Sequence, residues 1–280
     1  MTRMEAFPRR TTALLIGGLM AFATLAGCGS GKPTAAPPTP SLPQQAPDPA
    51  ERCGFAGQVE KLELTAADGV KLSGVRLGSG THGVVLLPQA GADICGWSAA
   101  IPGLVEAGFH VLAIDLRCAG YSECDQPDND DWQDGTHDFA ADGAAAIAAL
   151  KQAGATKVVI MGASLGAATA VVTAGRFPDQ VSGVVGLSVF SATFNASGST
   201  TTDVHSVQDA GPYITSPVLI AGAQGDPGAI TPATAQAIID KGSAKAAGKV
   251  IGKDGSAHGW DLLRSPDVSA DVLAFLKANA

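Results

Sequence analysis

The segment Gly162-Ala163-Ser164-Leu165-Gly166-Ala167 follows an apolar run, Lys157 to Met161, and opens a helical stretch. A serine flanked by small residues on a sharp strand-to-helix turn has its hydroxyl lifted clear of both elements, and the glycines let strand and helix approach closely. Backbone N–H groups at the helix start then face any oxyanion that develops beside the hydroxyl. A glycine-rich turn that merely contains a serine is the bland alternative. The strand-to-helix context and a complete set of partners favour a nucleophile.

A serine hydroxyl is weakly nucleophilic, so it needs a base within hydrogen-bond reach and a third group to orient that base. Five histidines are available. His82 precedes a strand and His110 begins one, at the wrong end of a sheet. His137 stands ahead of a long helix in an acidic loop and reads as a solvated surface residue, while His205 falls in an irregular segment after the strand Val181 to Ser188. Only His258, in Gly255-Ser256-Ala257-His258-Gly259-Trp260, follows the last short strand, and it is the expected base. The acid is expected at Asp226, in Gln224-Gly225-Asp226-Pro227 after the strand Val218 to Ala223. Asp254 lies only four residues before His258 and suits a turn; Asp203 and Asp209 suit helix starts or the surface.

These residues need elements to hold them. Period-2 segments at Gln58 to Leu64 and Val70 to Arg76, separated by Asp68-Gly69, predict a hairpin. Strands at Gly83 to Leu87, His110 to Asp115 and Lys157 to Met161 alternate with helices near Gly96 to Ala107 and Phe139 to Ala153. A helix at Leu165 to Arg176, strands at Val181 to Ser188 and Val218 to Ala223, a helix at Pro232 to Lys241, a strand at Lys249 to Gly252 and a helix at Asp267 to Lys277 complete the order. Continuous apolar runs such as Val158-Val159-Ile160-Met161 suit strands buried on both faces. The class is α/β, with a mostly parallel sheet of about eight strands between helices. In such sheets chemistry sits beyond the carboxyl ends of the strands, where Ser164, Asp226 and His258 all fall.

The chain of 280 residues is 46% hydrophobic and 16% charged, a globular composition. Residues 1–27 differ: Arg3, Arg9 and Arg10 precede an apolar run from Ala13 to Ala26, the pattern of a signal peptide. Leu25-Ala26-Gly27-Cys28 resembles the lipobox of bacterial lipoproteins, which implies lipidation of Cys28 and attachment to the membrane on the exported side of the cell envelope. Residues 28–52, rich in Pro, Ala, Ser, Thr and Gln, read as a disordered tether, and 53–280 as one domain. Without residues 1–27 the chain keeps 15 basic against 25 acidic residues, which disfavours nucleic acid as a partner. Cys53, Cys95, Cys118 and Cys124 suit two disulfides in an exported domain, and their spacing does not fit zinc. The Asp-rich stretch Asp125 to Asp138 fails the calcium-loop pattern, since Trp132 and Ala141 fall where oxygen ligands belong. It reads as a solvated loop, with Asp134 or Thr136 capping the following helix. No metal and no cofactor is expected.

From about Val59 onward the chain resembles the α/β-hydrolase family. The elbow at Ser164 carries the resemblance, together with Asp115-Leu116-Arg117-Cys118-Ala119-Gly120-Tyr121-Ser122, similar to the family's Asp-x-Arg-Gly-His-Gly-x-Ser loop with Gly-His replaced by Cys-Ala. Where relatives often carry His-Gly, this chain has Pro88-Gln89-Ala90-Gly91. The resemblance implies the chain order Ser164, Asp226, His258 for the triad and an oxyanion hole from the backbone N–H groups of Ala90 and Leu165. It also makes the loops bearing Cys95 and Cys118 neighbours, so that a Cys95–Cys118 disulfide is expected, with Cys118–Cys124 as its rival. The interval Val189 to Pro217 has room for one short helix and no cap domain, which implies an open site. Gln89, Phe190, Phe194 and Trp260 are candidates to touch substrate, with Tyr213 as a further apolar wall. The expected activity is hydrolysis of small or short-chain esters by a monomer through an acyl-enzyme. Thioesterase, amidase or peptidase, and dienelactone hydrolase-like activities are enzymatic alternatives, and a lipid-anchored binding or scaffold protein is the alternative of another class.

Overall fold

A computed structural model describes residues 49–55, 57–126, 132–133, 135–195, 203–242 and 248–280. The expected signal peptide, Cys28 and most of the tether lie outside the described residues. The last residues of the expected tether enter a short helix, α1 (Pro49–Cys53).

Strands β1 (Glu60–Thr65) and β2 (Lys71–Leu77) form the expected hairpin, with Gly69 at φ 94° in its turn, a conformation that favours glycine. There follow β3 (His82–Leu87), α2 (Ile101–Glu106), β4 (His110–Ile114), α3 (Phe139–Gln152), β5 (Lys157–Ala163), α4 (Leu165–Arg176) and β6 (Gly183–Leu187). The chain ends with α5 (Val207–Ala210), β7 (Val218–Ala223), α6 (Pro232–Ile239), β8 (Gly248–Lys253) and α7 (Pro266–Asn279). The eight strands make one sheet in the order β1-β2-β4-β3-β5-β6-β7-β8, antiparallel at β1/β2 and β2/β4 and parallel elsewhere. The expected helix near Gly96 to Ala107 is split into a 3-10 turn, Ile94–Trp97, capped by the Asp93 side chain, and the shorter α2, whose start is set by Pro102.

Both faces of the sheet are covered, which is why its central strands read as unbroken apolar runs. Val85 and Leu87 face the core under α3, α4, α5 and α6, whereas Val84 and Leu86 face the core under α2 and α7. Helix α4 is buried along its whole length, so apart from Arg176 at its end its sequence is apolar or small all round rather than amphipathic. This is the α/β-hydrolase fold. Among the described residues no helix is long and apolar enough to cross a membrane.

Two buried arginines fix the loops over the sheet. Arg117, after β4, donates from Nε and Nη2 to Asp142 of α3 at 2.9 and 2.7 Å, and from Nη1 to Asp68 at 2.6 Å and Asp125 at 2.8 Å. Burial acts to lower the Arg117 pKa, and these carboxylates outweigh it and hold the guanidinium above its ordinary value. Burial likewise pushes the Asp142 carboxyl up to about 6, against the attraction of Arg117. Arg176, at the end of α4, pairs with Asp138 at 2.6 Å. Asp138 is also the cap of α3, accepting from Ala141 N, in place of the expected Asp134 or Thr136.

The disulfides are Cys53–Cys95 and Cys118–Cys124. The expected Cys95–Cys118 pairing is therefore wrong. Helix α1 brings Cys53 to the 3-10 turn that carries Cys95, a contact that the tether reading of residues 28–52 did not anticipate.

Candidate active site

Ser164 sits between β5 and α4 with φ 52° and ψ −112°, outside the regions that ordinary residues prefer. Its N–H donates to Leu187 O at the end of β6, at 2.8 Å, which locks the turn to the neighbouring strand. The flanking glycines are required by contact: a β-carbon at Gly162 would lie 2.0 Å from Gly166 O, and one at Gly166 would lie 2.3 Å from Leu87 O. Strand β5, helix α4 and the loop after β3 thus meet at backbone distance around one serine.

Asp226 and His258 come together from the loops after β7 and β8. His258 Nδ1 lies 2.9 Å from Asp226 Oδ1 and 2.8 Å from Oδ2. The carboxylate is almost wholly buried and takes a further hydrogen bond from Gly228 N, at 3.0 Å, while a third of the imidazole side chain remains exposed. The two loops are tied by Gly225 N donating to Gly255 O at 2.9 Å. An orienting acid on Nδ1 leaves Nε2 to face outward as a base.

The base stands beside the elbow. A β-carbon at Gly259 would lie 3.4 Å from Ala163 Cβ, the residue before Ser164. No hydrogen bond closes between the Ser164 hydroxyl and His258 among the described residues, a common state for a catalytic pair without substrate.

Ser188, which the sequence reading left as the end of a strand, holds this arrangement. It is fully buried, has φ 54°, and its Oγ accepts a hydrogen bond from Gly259 N at 2.9 Å. The strand that anchors the Ser164 turn therefore anchors the base loop too. Its place immediately after β6 was the signal that could have found it.

Ala90 and Leu165 wall one cavity of about 40 Å³ next to the elbow. Leu165 N–H, the first of α4, has no intrahelical acceptor, and Ala90 lies on the loop after β3. Gln89 borders the same cavity, and its side chain reaches the base loop: its Oε1 would clash with a β-carbon at Gly259, next to His258, and is buried without a hydrogen-bond partner among the described residues. Phe190 N donates to Ser164 O at 3.4 Å, and the Phe190 ring stands edge-on to Trp132 at 5.0 Å, so both rings belong to the rim of the site.

Other expected contacts are dispersed. Phe194 is buried against Phe139 in the core, and Tyr213 is 46% exposed on a 3-10 turn. Trp260 packs edge-on to Trp97 and lines an apolar groove of about 480 Å³ between α2 and α7, to which no triad residue contributes. His205 hydrogen-bonds Phe194 O, away from the triad. His137 corrects the surface reading, being 1% exposed.

Residues 83–213 match a family model described as alpha/beta hydrolase fold. No curated protein matches the chain in sequence. Among solved structures, an esterase of Pyrococcus furiosus is 18% identical with a TM-score of 0.65, covering 85% of this chain and 98% of its own. An esterase from Exiguobacterium antarcticum is 18% identical with a TM-score of 0.61, covering 78% and 100%. A thermophilic esterase from Thermogutta terrifontis is 15% identical with a TM-score of 0.59, covering 78% and 98%.

Proposed function

We propose that the chain is a serine hydrolase acting on carboxylic esters of short acids, through an acyl-enzyme. The observation that carries this reading is the Asp226–His258 pair set beside a serine held in a strained strand-to-helix turn. A conformation like that of Ser164 costs about 1–3 kcal/mol and is kept where surrounding structure enforces it, commonly for function. Ser164 attacks the ester carbonyl while His258 takes its proton; Asp226 holds the imidazole tautomer and stabilises the imidazolium. The carbonyl oxygen gains charge between the amides of Ala90 and Leu165, and His258 returns its proton to the departing alkoxide. Water then repeats the sequence on the acyl-enzyme. Esterase neighbours of the same fold favour esters over amides as the first substrates to try.

For location, we propose an exported protein anchored through a lipidated Cys28, on the strength of the signal-like residues 1–27 and the lipobox-like Leu25-Ala26-Gly27-Cys28. Metabolic labelling with a clickable fatty acid tests this: incorporation that Cys28→Ala abolishes supports it, and unlabelled protein opposes it. The activity is tested with p-nitrophenyl esters from acetate to palmitate, with Ser164→Ala in parallel. Turnover of the short esters that the mutant loses, with fluorophosphonate labelling lost alongside, is the expected result. A folded chain that neither turns over any ester nor reacts with the probe would refute the reading in favour of a binding protein.

A further inference from the structure

His137 is buried to 1% exposure beside the oxyanion residues, and no step of the proposed reaction uses it. Its Nδ1 lies 2.6 Å from Asp125 Oδ1, and Asp125 Oδ2 accepts from Arg117 at 2.8 Å. Burial pushes the Asp125 carboxyl up, but hydrogen bonds from Arg117 and His137 outweigh it and hold the carboxyl below its ordinary value. An ionised carboxylate only accepts, so Nδ1 carries the ring proton that faces Asp125, and an imidazole holding that single proton presents Nε2 as an acceptor. That Nε2 is buried and, among the described residues, has no hydrogen-bond partner. Native structures leave few buried polar atoms unpaired, and each calls for a reason.

The reason lies in the cavity that His137 helps to form. Ala90, Trp132, Phe139 and Leu165 wall it with His137, and its volume of about 40 Å³ admits a group of water or hydroxyl size. Arg117 also borders it, but its guanidinium is engaged by three carboxylates. The cavity shares Gly91, Ala92, Cys118, Ala119 and Trp132 with a wider outer depression of about 460 Å³, which gives a ligand group a way in. A small group that donates one hydrogen bond matches it in size and in polarity.

We propose that His137 Nε2 receives a hydroxyl on the acyl part of the substrate, so that the site selects esters of short 2- or 3-hydroxy acids. The inference rests on the reading of the chain as an ester hydrolase using Ser164. With the carbonyl oxygen between the Ala90 and Leu165 amides, a cavity walled by those same two residues is reached by a substituent one or two carbons from the carbonyl. His137 is a substrate-binding group here and takes no proton from the reacting atoms.

The test uses the full chain in detergent and the ethyl esters of butyric, 2-hydroxybutyric and 3-hydroxybutyric acids, with acid release followed by titration. The readout is the ratio of kcat/KM for each hydroxy ester to that for the plain ester, a ratio taken within one protein and so independent of how much of it is active. In the unmodified chain one hydroxy ester is expected to be preferred by about three- to tenfold, the worth of one net hydrogen bond. His137→Phe, which fills the cavity, should bring the ratio to one or below, and His137→Gln, which retains an acceptor, should fall between. A ratio near one in the unmodified chain overturns the proposal and leaves only a structural water in the cavity. A preference that survives both substitutions overturns it as well. Turnover of no ester at all sinks the ester-hydrolase reading and this inference with it, an outcome distinct from turnover without preference.

Discussion

Gly166→Ala adds one carbon at the point where helix α4 meets the loop after β3. That carbon would stand 2.3 Å from Leu87 O and 2.5 Å from Pro88 O, whereas ordinary contacts begin at 3.4 Å. Both neighbours are backbone, so no side chain can swing aside, and the loop or the helix start must shift by about 1 Å. Overpacking of this kind costs about 1–3 kcal/mol of stability, partly offset by the better helix propensity of alanine. The catalytic consequence should be larger. Ala90 follows Pro88 by two residues and Leu165 precedes position 166, so the shift separates the two oxyanion donors from the position of the developing charge. Losing one such donor costs about 3–4 kcal/mol of transition-state stabilisation, so kcat should fall by about 10²–10³-fold with KM little changed. The assay is p-nitrophenyl butyrate hydrolysis per mole of folded protein, with the melting temperature measured on the same samples. Gly103→Ala in α2 is the control, because a β-carbon there meets nothing within 4 Å. A folded Gly166→Ala protein with kcat within about threefold of the parent would refute the placement of the oxyanion hole.

Asp226→Asn should lower kcat by about 10³–10⁴-fold: Gly228 N holds the amide oxygen at the Oδ1 position, which leaves the NH₂ about 2.8 Å from His258 Nδ1 and favours the wrong tautomer. A drop of under tenfold would argue against Asp226 as the orienting acid. Ser188→Ala leaves Gly259 N–H buried without its acceptor, which should cost about 1–3 kcal/mol in a denaturant melt and reduce kcat more than KM; unchanged kcat would remove Ser188 from the positioning of His258. Asp125→Asn has a signed pH dependence. The folded-state pKa lies below the ordinary 3.8, so the ionised carboxylate contributes stability above 3.8, and that contribution is lost as pH falls through the folded value. The mutant's deficit in melting temperature should therefore be fully present at about pH 7 and shrink as pH falls below 3.8, and a deficit that grows on acidification would show the sign to be wrong.

The strands and most helices were legible because their signals are local. Val158 to Met161 is apolar on both faces and reads as a central strand whatever surrounds it, and the Asp68-Gly69 turn fixes the hairpin within a few residues. The placement of Ser164, Asp226 and His258 was legible for a related reason: each follows a strand, so the fold class alone brings them to one edge. What the sequence hid depends on contacts across long separations. His137 in an Asp-rich loop looks solvated until Asp125 and Arg117 close over it, and nothing within the loop announces the buried Arg117. The pairing of Cys53 with Cys95 spans 42 residues and relies on a short helix in a segment whose composition suggests a spacer. Phe194 failed as a wall residue because its aromatic character fits a core contact with Phe139 as well as it fits a substrate.

The same distinction explains how the site holds its shape without a cap domain. Strand β6 supplies none of the triad, yet its carboxyl end binds both halves of the machinery: Leu187 O takes the N–H of Ser164, and Ser188 Oγ takes the N–H of Gly259 beside the base. Phe190 N, two residues further on, returns to Ser164 O. The nucleophile turn and the base loop are thus both referred to the end of one buried strand, so a movement of one relative to the other must break buried hydrogen bonds. A catalytic constellation works when supporting bonds lock its members to well under an ångström. Here those bonds come from the carboxyl end of β6.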